Sequence, residues 1–249
     1  PPHLPDYPSH WDIAAYFDSY VDHFGFRDSI RFRTEVSSVV PADGGWDVTA
    51  NGETQRYRAV LVANGHHWDP RWPDPPFPGE FTGEQLHAHD YREPDVLVGK
   101  RVLVLGIGNS ACDIAVESSR IADKTFLAMR RGAYVIPKYL RGRPTDASST
   151  ALMSRLPFRV QRALMSAMLK VAAGDMTSYG LPKPDHKLLS AHPTVSSELL
   201  PRIGHGDITV KPNIARYDGD EVVFTDGSRE QVDLVVYCTG YRITFPFLD

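Results

Sequence analysis

The stretch that most constrains the fold is Arg101–Glu117, which has the sequence RVLVLGIGNSACDIAVE. Its first five residues, Arg101–Leu105, contain four apolar residues, two of them β-branched, and predict a buried parallel strand. A Gly-x-Gly-x-x-Ala turn follows at Gly106–Ala111, and a helical pattern continues through Val116. A strand that enters such a turn and then a helix is the arrangement of a dinucleotide-binding unit. The alternative is a turn with a purely structural role.

Each small residue of this turn has a physical task in a dinucleotide-binding unit. Gly106 permits the tight turn, Gly108 lets the backbone approach a pyrophosphate, and Ala111 lets the helix pack closely on the strand. The free N–H groups at the start of the helix then face the phosphates. The sequence therefore predicts an α/β fold with a nucleotide site at this turn.

The second strand of the unit indicates which nucleotide binds. Lys124–Met129 is predicted to be that strand, and Arg130 and Arg131 follow it directly. An acidic residue here would bind a free ribose 2′-hydroxyl, whereas an arginine pairs with a 2′-phosphate. No acid stands at the strand end, so we predict NADP(H) rather than NAD(H). The alternative is that both arginines are simply solvated.

Composition excludes several other classes of protein. The 249 residues carry a formal net charge of −4 and no long basic tract, so no nucleic-acid partner is predicted. The two cysteines, Cys112 and Cys238, are both predicted to be small buried residues rather than a disulfide framework. This fits a cytoplasmic protein. Apolar runs stay well short of a membrane span, so membrane contact is not expected.

The rest of the chain gives a coarse secondary structure. Ser9 is predicted to cap a helix that runs to about Phe24 with an aromatic face. Strands are predicted at Ser29–Thr34, Val36–Val40, Trp46–Ala50 and Gln55–Ala63, and a proline-rich linker at Asp69–Gly79.

A second helical region is predicted at Ser148–Gly174, with a basic polar face. It is either a membrane-surface or partner helix, or an insert packed on its own domain, which we favour. Leu181–Pro193 is predicted to be an ordered loop.

The end of the chain repeats an earlier segment. Asp43–His67 and Asp218–Arg242 are each 25 residues long and are related by a constant shift of 175, which is 218 − 43. Six identical residues coincide without a gap, at Asp43/Asp218, Gly44/Gly219, Val48/Val223, Gly52/Gly227, Val60/Val235 and Gly65/Gly240. Both copies are predicted to be a hairpin followed by a buried strand. Only the second copy follows a Gly-x-Gly-x-x-Ala turn, so we expect the chain to start inside a domain whose own turn is absent.

Further motifs resemble a known family. Phe81, Gly83, His87 and Tyr91 fit the pattern FxGxxxHxxx followed by an aromatic residue, and they lie between Asn64-Gly65 and the Gly106 turn. With GIGNSACDIA, MRRGA and VVYCTGY in this order, the chain resembles the flavin-containing monooxygenases (class B flavoprotein monooxygenases). The resemblance implies two Rossmann-like units of the glutathione-reductase type, a partial FAD unit and a complete NADP unit.

The resemblance also implies domain limits. Residues 1–96 would be the C-terminal part of the FAD-binding domain with its linker. Residues 97–242 would be the NADP-binding domain with a helical insert at about 148–200, and residues 243–249 would start the return to the FAD domain.

The implied activity is that of an NADPH- and FAD-dependent monooxygenase. NADPH would reduce FAD, O₂ would give a flavin hydroperoxide, and an amine nitrogen or a sulfide sulfur would take one oxygen. The chain by itself is expected to be inactive. One alternative is a Baeyer–Villiger or N-hydroxylating enzyme, although Tyr91 in place of Trp argues against the Baeyer–Villiger type. The other alternative is a non-catalytic NADP(H)-binding module.

The resemblance assigns residues by position. NADP(H) contacts fall on Gly106, Gly108, Asn109, Ser110, Arg130 and Arg131. FAD contacts fall on Val36, Asn64 and Gly65, and Thr239 and Gly240 are placed at the domain interface. His87 is given a structural or hinge role. No catalytic residue and no metal ligand set is predicted, and a homo-oligomer is allowed.

Overall fold

The computed structural model describes residues 4–140, 142–145, 155–191 and 193–248. The chain divides into two compact units, a smaller one of Pro1–His66 with Ile243–Asp249 and a larger one of His67–Arg242. Four α-helices are described: α1 His10–Phe24, α2 Asn109–Ile121, α3 Phe158–Ala173 and α4 Leu199–His205. The described strands are β1 Val36–Ala42, β2 Gly45–Ala50, β3 Glu53–Tyr57, β4 Glu84–His87, β5 Arg101–Leu105, β6 Lys124–Ala128, β7 Val135–Ile136, β8 Tyr139–Leu140, β9 Arg143–Pro144, β10 Thr194–Val195, β11 Ile208–Lys211, β12 Ile214–Asp218, β13 Glu221–Phe224, β14 Arg229–Gln231 and β15 Leu234–Tyr237.

A five-stranded parallel sheet forms the centre of the larger unit, in the order β11-β6-β5-β15-β4. Its strands alternate between two cores because successive side chains of a strand point to opposite faces. Val102 and Val104 pack in the core that contains α2 and α4, whereas Leu103 and Leu105 pack under the meander β12-β13-β14. The predicted α/β fold with a parallel sheet is therefore confirmed.

An ion pair joins the starts of two neighbouring strands in this sheet. The backbone N and the Nε of Arg101 donate to Asp233 Oδ2 at 2.7 and 2.9 Å, and Nη2 donates to Oδ1 at 2.5 Å. Asp233 N in turn donates to the carbonyl of Arg101 at 2.9 Å. The guanidinium lowers the pKa of Asp233 to about 2. This contact fixes the register of β5 against β15.

The repeat is present in the structure as two antiparallel meanders. β1-β2-β3 and β12-β13-β14 have the same order, and glycines with positive φ occupy three equivalent positions of the repeat. These are Gly44 and Gly219 at 73° and 69°, Gly52 and Gly227 at 83° and 84°, and Gly65 and Gly240 at 72° and 84°. The two copies therefore share turns as well as strands.

The strand predicted at Gln55–Ala63, the last of the first copy, is wrong beyond Tyr57. β3 ends there, residues 59–63 form no strand, and Leu61 is 94 % exposed. The equivalent β15 lies between β5 and β4, whereas no strand among the described residues of the smaller unit runs beside 59–63. An apolar run forms a strand only where neighbouring strands take its hydrogen bonds.

The prediction of a strand at Ser29–Thr34 is also wrong. A short 3₁₀ helix occupies Arg27–Ser29, and Arg33 has a φ of 52°, a left-handed conformation that a β-strand does not contain. The predicted helix before it is confirmed as α1. Ser9 and Asp12 form a reciprocal capping box, but none of the residues of α1 is buried.

Part of the predicted helical insert is described. Residues 148–154 of the prediction lie outside the described residues, and α3 begins at Phe158. α3 packs on the core of the larger unit through Met165, Leu169 and Ala173, which supports the favoured interpretation of an insert on its own domain.

We predict that Asp233→Asn destabilises the chain by about 1 kcal/mol at pH 7, because it removes a charge-assisted contact that is only partly screened by solvent. The folded-state pKa lies below the unfolded value of 3.8, so this contribution is present above pH 3.8 and disappears as the pH falls towards 2. Urea unfolding at pH 7 and near pH 3 measures both effects. Glu198→Gln, which removes a more exposed ion-pair partner, is the control and should cost about 0.5 kcal/mol or less. Equal losses in both variants would contradict the prediction.

Candidate functional site

The turn between β5 and α2 is held against the end of β15. Gly106 has a φ of 139°, and its N–H donates to the carbonyl of Ala128 at 2.8 Å. A Cβ at this position would lie 2.5 Å from the carbonyl oxygen of Cys238, so only glycine fits. Gly108 differs, because a Cβ there would meet nothing within 4 Å. The space beside Gly108 is open, as a site for a bound phosphate requires.

Helix α2 begins directly after this open position. Gly108 is its N-cap and has no side chain to satisfy the first N–H groups. Ser110 is exposed in the first turn, and Ala111 is fully buried in the core. The side chain of Asn109 is already engaged, since its Oδ1 accepts a hydrogen bond from Val195 N at 2.8 Å. The backbone amides of this turn are therefore the groups that are free to bind an anion.

A cleft of about 750 Å³ opens at the carboxyl ends of β5, β6 and β15. Arg130 and Arg131 line it, as the sequence predicts for residues that bind the same nucleotide, and so do Gly106 and Thr239. Two further arginines, Arg71 and Arg242, also line it. The complete lining is Arg71, Trp72, Pro73, Asp74, Pro75, Phe77, Leu105, Gly106, Ile107, Met129, Arg130, Arg131, Asn213, Cys238, Thr239 and Arg242. With four arginines and one aspartate, the cleft is suited to a polyanion.

Arg71 and Arg242 reach the cleft because two distant segments pair. Arg71 N donates to the carbonyl of Gly240 at 3.0 Å, and Arg242 N donates to that of Asp69 at 2.9 Å. Arg71 Nη2 also donates to the carbonyl of Thr239 at 3.1 Å, and Thr239 Oγ1 donates back to the carbonyl of Arg71 at 2.5 Å. Sequence reasoning missed both arginines, because no local pattern marks residues that are brought together over more than 160 positions.

The motif of Phe81, Gly83, His87 and Tyr91 leads into this sheet. Phe81 stacks on Tyr217 with ring centroids 5.0 Å apart. A Cβ at Gly83 would lie 2.7 Å from the carbonyl oxygen of Asp233, which explains the glycine. Tyr91 donates a hydrogen bond of 2.5 Å to Glu117 Oε2 on α2, and burial raises the pKa of its hydroxyl. All three contacts hold the segment onto the larger unit.

His87 is the last residue of β4 and is fully buried. Its Nδ1 accepts a hydrogen bond from His89 N at 3.0 Å, and its ring packs against Trp72 and Tyr241. Burial lowers the pKa of His87, and the neighbouring charges of Asp90 and His89 act in opposite directions. This environment supports the expected structural role more than a role in proton transfer.

Neither cysteine has the character of a nucleophile. Burial raises the pKa of Cys112 to about 12 and raises that of Cys238 as well. Cys112 is buried as predicted, whereas Cys238 is only partly buried, because its position at the end of β15 places it in the lining of the cleft.

The residues predicted for FAD lie in the smaller unit. Val36 is at the start of β1 and is exposed, and Asn64 and Gly65 are exposed and outside any strand. The described residues of this unit form an antiparallel meander and helices but no parallel sheet that leads into a glycine turn. These residues alone therefore do not fit the phosphates of a second dinucleotide.

The parallel sheet, the glycine turn and the cationic cleft define the class of the larger unit as a Rossmann-like dinucleotide-binding domain. The model of the "FMO-like: Flavin-binding monooxygenase-like" family matches residues 1–249. The chain belongs to this flavin-binding monooxygenase-like family.

Curated relatives are found in mammals. The chain is 36% identical over 266 residues to flavin-containing monooxygenase 5 of Oryctolagus cuniculus, with 100% of the chain and 50% of the relative covered. It is 34% identical over 267 residues to flavin-containing monooxygenase 3 of Homo sapiens, with the same coverage. The chain thus spans about half the length of the curated relatives that it matches.

Solved structures share the fold. A flavin-containing monooxygenase from Stenotrophomonas maltophilia superposes with a TM-score of 0.70 at 20% identity, over 98% of this chain and 61% of that one. An open structure of cyclohexanone monooxygenase gives a TM-score of 0.70 at 19% identity, over 95% of this chain and 59% of that one. Among the helices that the structure describes, none has the length and apolar character needed to cross a membrane.

We predict that burial of His87 makes the chain less stable below about pH 6.5. The folded pKa lies below the ordinary value of 6.5, so the unfolded chain binds a proton first and stability falls as the pH drops through this window. In His87→Asn, whose amide replaces Nδ1 as an acceptor, stability should change less between pH 7.5 and 5.5. Urea midpoints at the two pH values measure this change.

The control for this prediction is His205→Gln, which changes an exposed histidine at the end of α4. It should keep the wild-type pH dependence. If His87→Asn also keeps the wild-type pH dependence of stability, the prediction for His87 is wrong.

Proposed function

We propose that the chain is the NADP(H)-binding part of an NADPH- and FAD-dependent monooxygenase that oxygenates an amine nitrogen or a sulfide sulfur. The observation that carries the proposal is the cleft at the carboxyl ends of the parallel strands. Its lining contains Gly106, Ile107 and four arginines, and the open position of Gly108 and the start of α2 follow directly after Ile107. Membership of the family supports the use of flavin and O₂.

In this proposal the pyrophosphate of NADP(H) lies against the backbone amides of Gly108, Asn109 and Ser110. Gly108 suits this role because nothing lies within 4 Å of where a side chain would begin. The partial positive charge at the start of α2 adds to the attraction. Asn109 acts through its backbone, because its side chain holds the β10 segment against the turn.

The adenosine 2′-phosphate is proposed to bind Arg130 and Arg131 at the end of β6. Both arginines belong to the cleft lining and both are exposed, so a phosphate can reach them. Two arginine forks suit a phosphate dianion better than a hydroxyl. NADPH is therefore the proposed reductant.

The nicotinamide end of the cofactor supplies a hydride when it is bound. This end is proposed to lie near Thr239 and Gly240, where the carboxyl end of β15 meets the paired segment 69–71. Arg71 and Thr239 hold each other in position there through three side chain–backbone hydrogen bonds. Their role is to orient the cofactor and to shape the cleft, and no residue of this chain is proposed as an acid or a base.

The flavin side of the proposal concerns the whole protein. Val36, Asn64 and Gly65 are proposed to contribute to FAD binding, although the described residues of the smaller unit do not form a phosphate cradle by themselves. We propose that residues 1–96 and 243–249 belong to the FAD domain and residues 97–242 to the NADP domain. A cytoplasmic location and a homo-oligomer are further parts of the proposal.

A second candidate is an NADP(H)-binding module without catalysis. The observation that favours it is that the larger unit forms the whole lining of the cleft from its own residues. The two candidates differ in whether the whole protein binds flavin.

The test is titration of the chain with NADPH and with NADH, followed by protein fluorescence, together with a visible absorbance scan. NADPH should bind more tightly than NADH. Arg130→Ala should lower NADPH affinity by about tenfold or more, since a charged hydrogen bond contributes about 1.5–3 kcal/mol, and should leave NADH affinity nearly unchanged.

A visible flavin absorbance band in the whole protein would favour the monooxygenase over the non-catalytic module. Absence of binding by both nucleotides would overturn the proposed site. An equal loss for NADPH and NADH in Arg130→Ala would overturn the assignment of Arg130 to the 2′-phosphate.

A further inference from the structure

A carboxylate from a distant part of the chain contacts Arg131, one of the two arginines at the end of β6. Asp185 Oδ2 lies 3.3 Å from Arg131 Nε, and Asp185 Oδ1 lies 3.2 Å from His186 Nδ1. Arg131 lines the proposed nucleotide cleft, and Asp185, which does not line it, pairs with this arginine. Arg131 therefore has a partner before any nucleotide binds.

The position of Asp185 is fixed by close packing of the backbone. A Cβ at Gly132 would lie 1.8 Å from the carbonyl oxygen of Pro182, so the arginine turn and the segment 181–186 touch where no side chain fits. Leu181 is buried at the start of this segment, and the ring of His186 stands edge-on to Tyr134 at 5.5 Å. The carboxylate is thus carried by an anchored segment.

The charge of this carboxylate is present at neutral pH. The hydrogen bond with His186 lowers the pKa of Asp185, and the charge of Arg131 acts in the same direction. The side chains of Arg131 and Asp185 are 64% and 52% exposed, so solvent screens the pair and a competing anion can displace it.

In dinucleotide-binding domains an acid near the end of the second strand accepts hydrogen bonds from the ribose 2′-hydroxyl of NAD, whereas an arginine accommodates the 2′-phosphate of NADP. Here the strand end supplies only arginines, and the acid comes from a residue 54 positions beyond Arg131, which is 185 − 131. An arginine and an acid, the two types of group that select NADP and NAD, are consequently in contact at Arg131 and Asp185.

We propose that Asp185 sets the balance between NADPH and NADH in this cleft. It shares Arg131 with the 2′-phosphate and repels that dianion, and it offers an acceptor to the 2′-hydroxyl of NADH. Both effects reduce the preference for the phosphorylated nucleotide, so Asp185 is a specificity-determining residue. The inference rests on the proposed function, because it requires that NADP(H) binds at Arg130 and Arg131.

The test measures the ratio of dissociation constants for NAD⁺ and NADP⁺ by isothermal titration of the whole chain. Asp185→Asn should raise the preference for NADP⁺ about two- to fivefold at low salt, the range expected for an exposed charge pair. The gain should shrink at high salt because exposed charges are screened. Asp185→Glu, which keeps the charge, should retain a ratio close to that of the wild type.

Two controls separate this role from a structural one. Asp220→Asn makes the same change of charge in the turn between β12 and β13 and should leave the ratio unchanged. In the Arg131→Ala background, Asp185→Asn should raise the ratio by a smaller factor than in the wild type, because the two residues act through one contact.

The outcomes also distinguish the inference from the proposed function. A wild-type chain that binds neither nucleotide overturns the proposed function and the inference with it. If the wild type binds NADP⁺, but Asp185→Asn keeps the wild-type ratio or Asp185→Glu shifts it as strongly as Asp185→Asn, the inference alone is wrong.

Discussion

The contact on which the proposed nucleotide cleft depends is the close approach of Gly106 to the end of β15. Cys238 N donates to the carbonyl of Leu105 at 2.8 Å. At the next residue the two backbones are so close that a Cβ at Gly106 would lie 2.5 Å from the carbonyl oxygen of Cys238. Since β5 and β15 are neighbours in a parallel sheet, their carboxyl ends lie at the same edge. The turn can open a cleft there only if it stays tight, and glycine is the residue that allows this.

Around this contact the cleft is assembled from segments that are far apart in sequence. The arginine turn follows β6, and the pairing of residues 69–71 with 240–242 brings in Arg71 and Arg242. The packing of Gly132 on Pro182 places Asp185 against Arg131, although Asp185 itself does not line the cleft. Each junction is a backbone contact, so the positions of these charged side chains are set by the fold. The resulting charges are predominantly positive, which suits a nucleotide that carries several phosphates.

Sequence patterns predicted the local elements of this arrangement well. The strand β5, the glycine turn and α2 follow from hydrophobic periodicity and small residues at fixed spacing, and the repeat predicted that both meanders share their turns. Such patterns are blind to contacts between distant segments, so Arg71, Arg242 and Asp185 were missed. The error at residues 59–63 has another cause, because an apolar run indicates a strand but not the neighbours that the strand needs.

The most direct test of the account is hydrogen–deuterium exchange of the chain with and without saturating NADP⁺. Bound nucleotide should slow exchange in peptides that cover the turn and first turn of α2, residues 106–112, and the arginine turn, residues 129–133, since their amides become hydrogen-bonded or shielded. Slower exchange at both places would support a nucleotide that spans the cleft from pyrophosphate to 2′-phosphate. Protection elsewhere in the chain with no change at either turn would contradict the central claim that this cleft is the NADP(H) site.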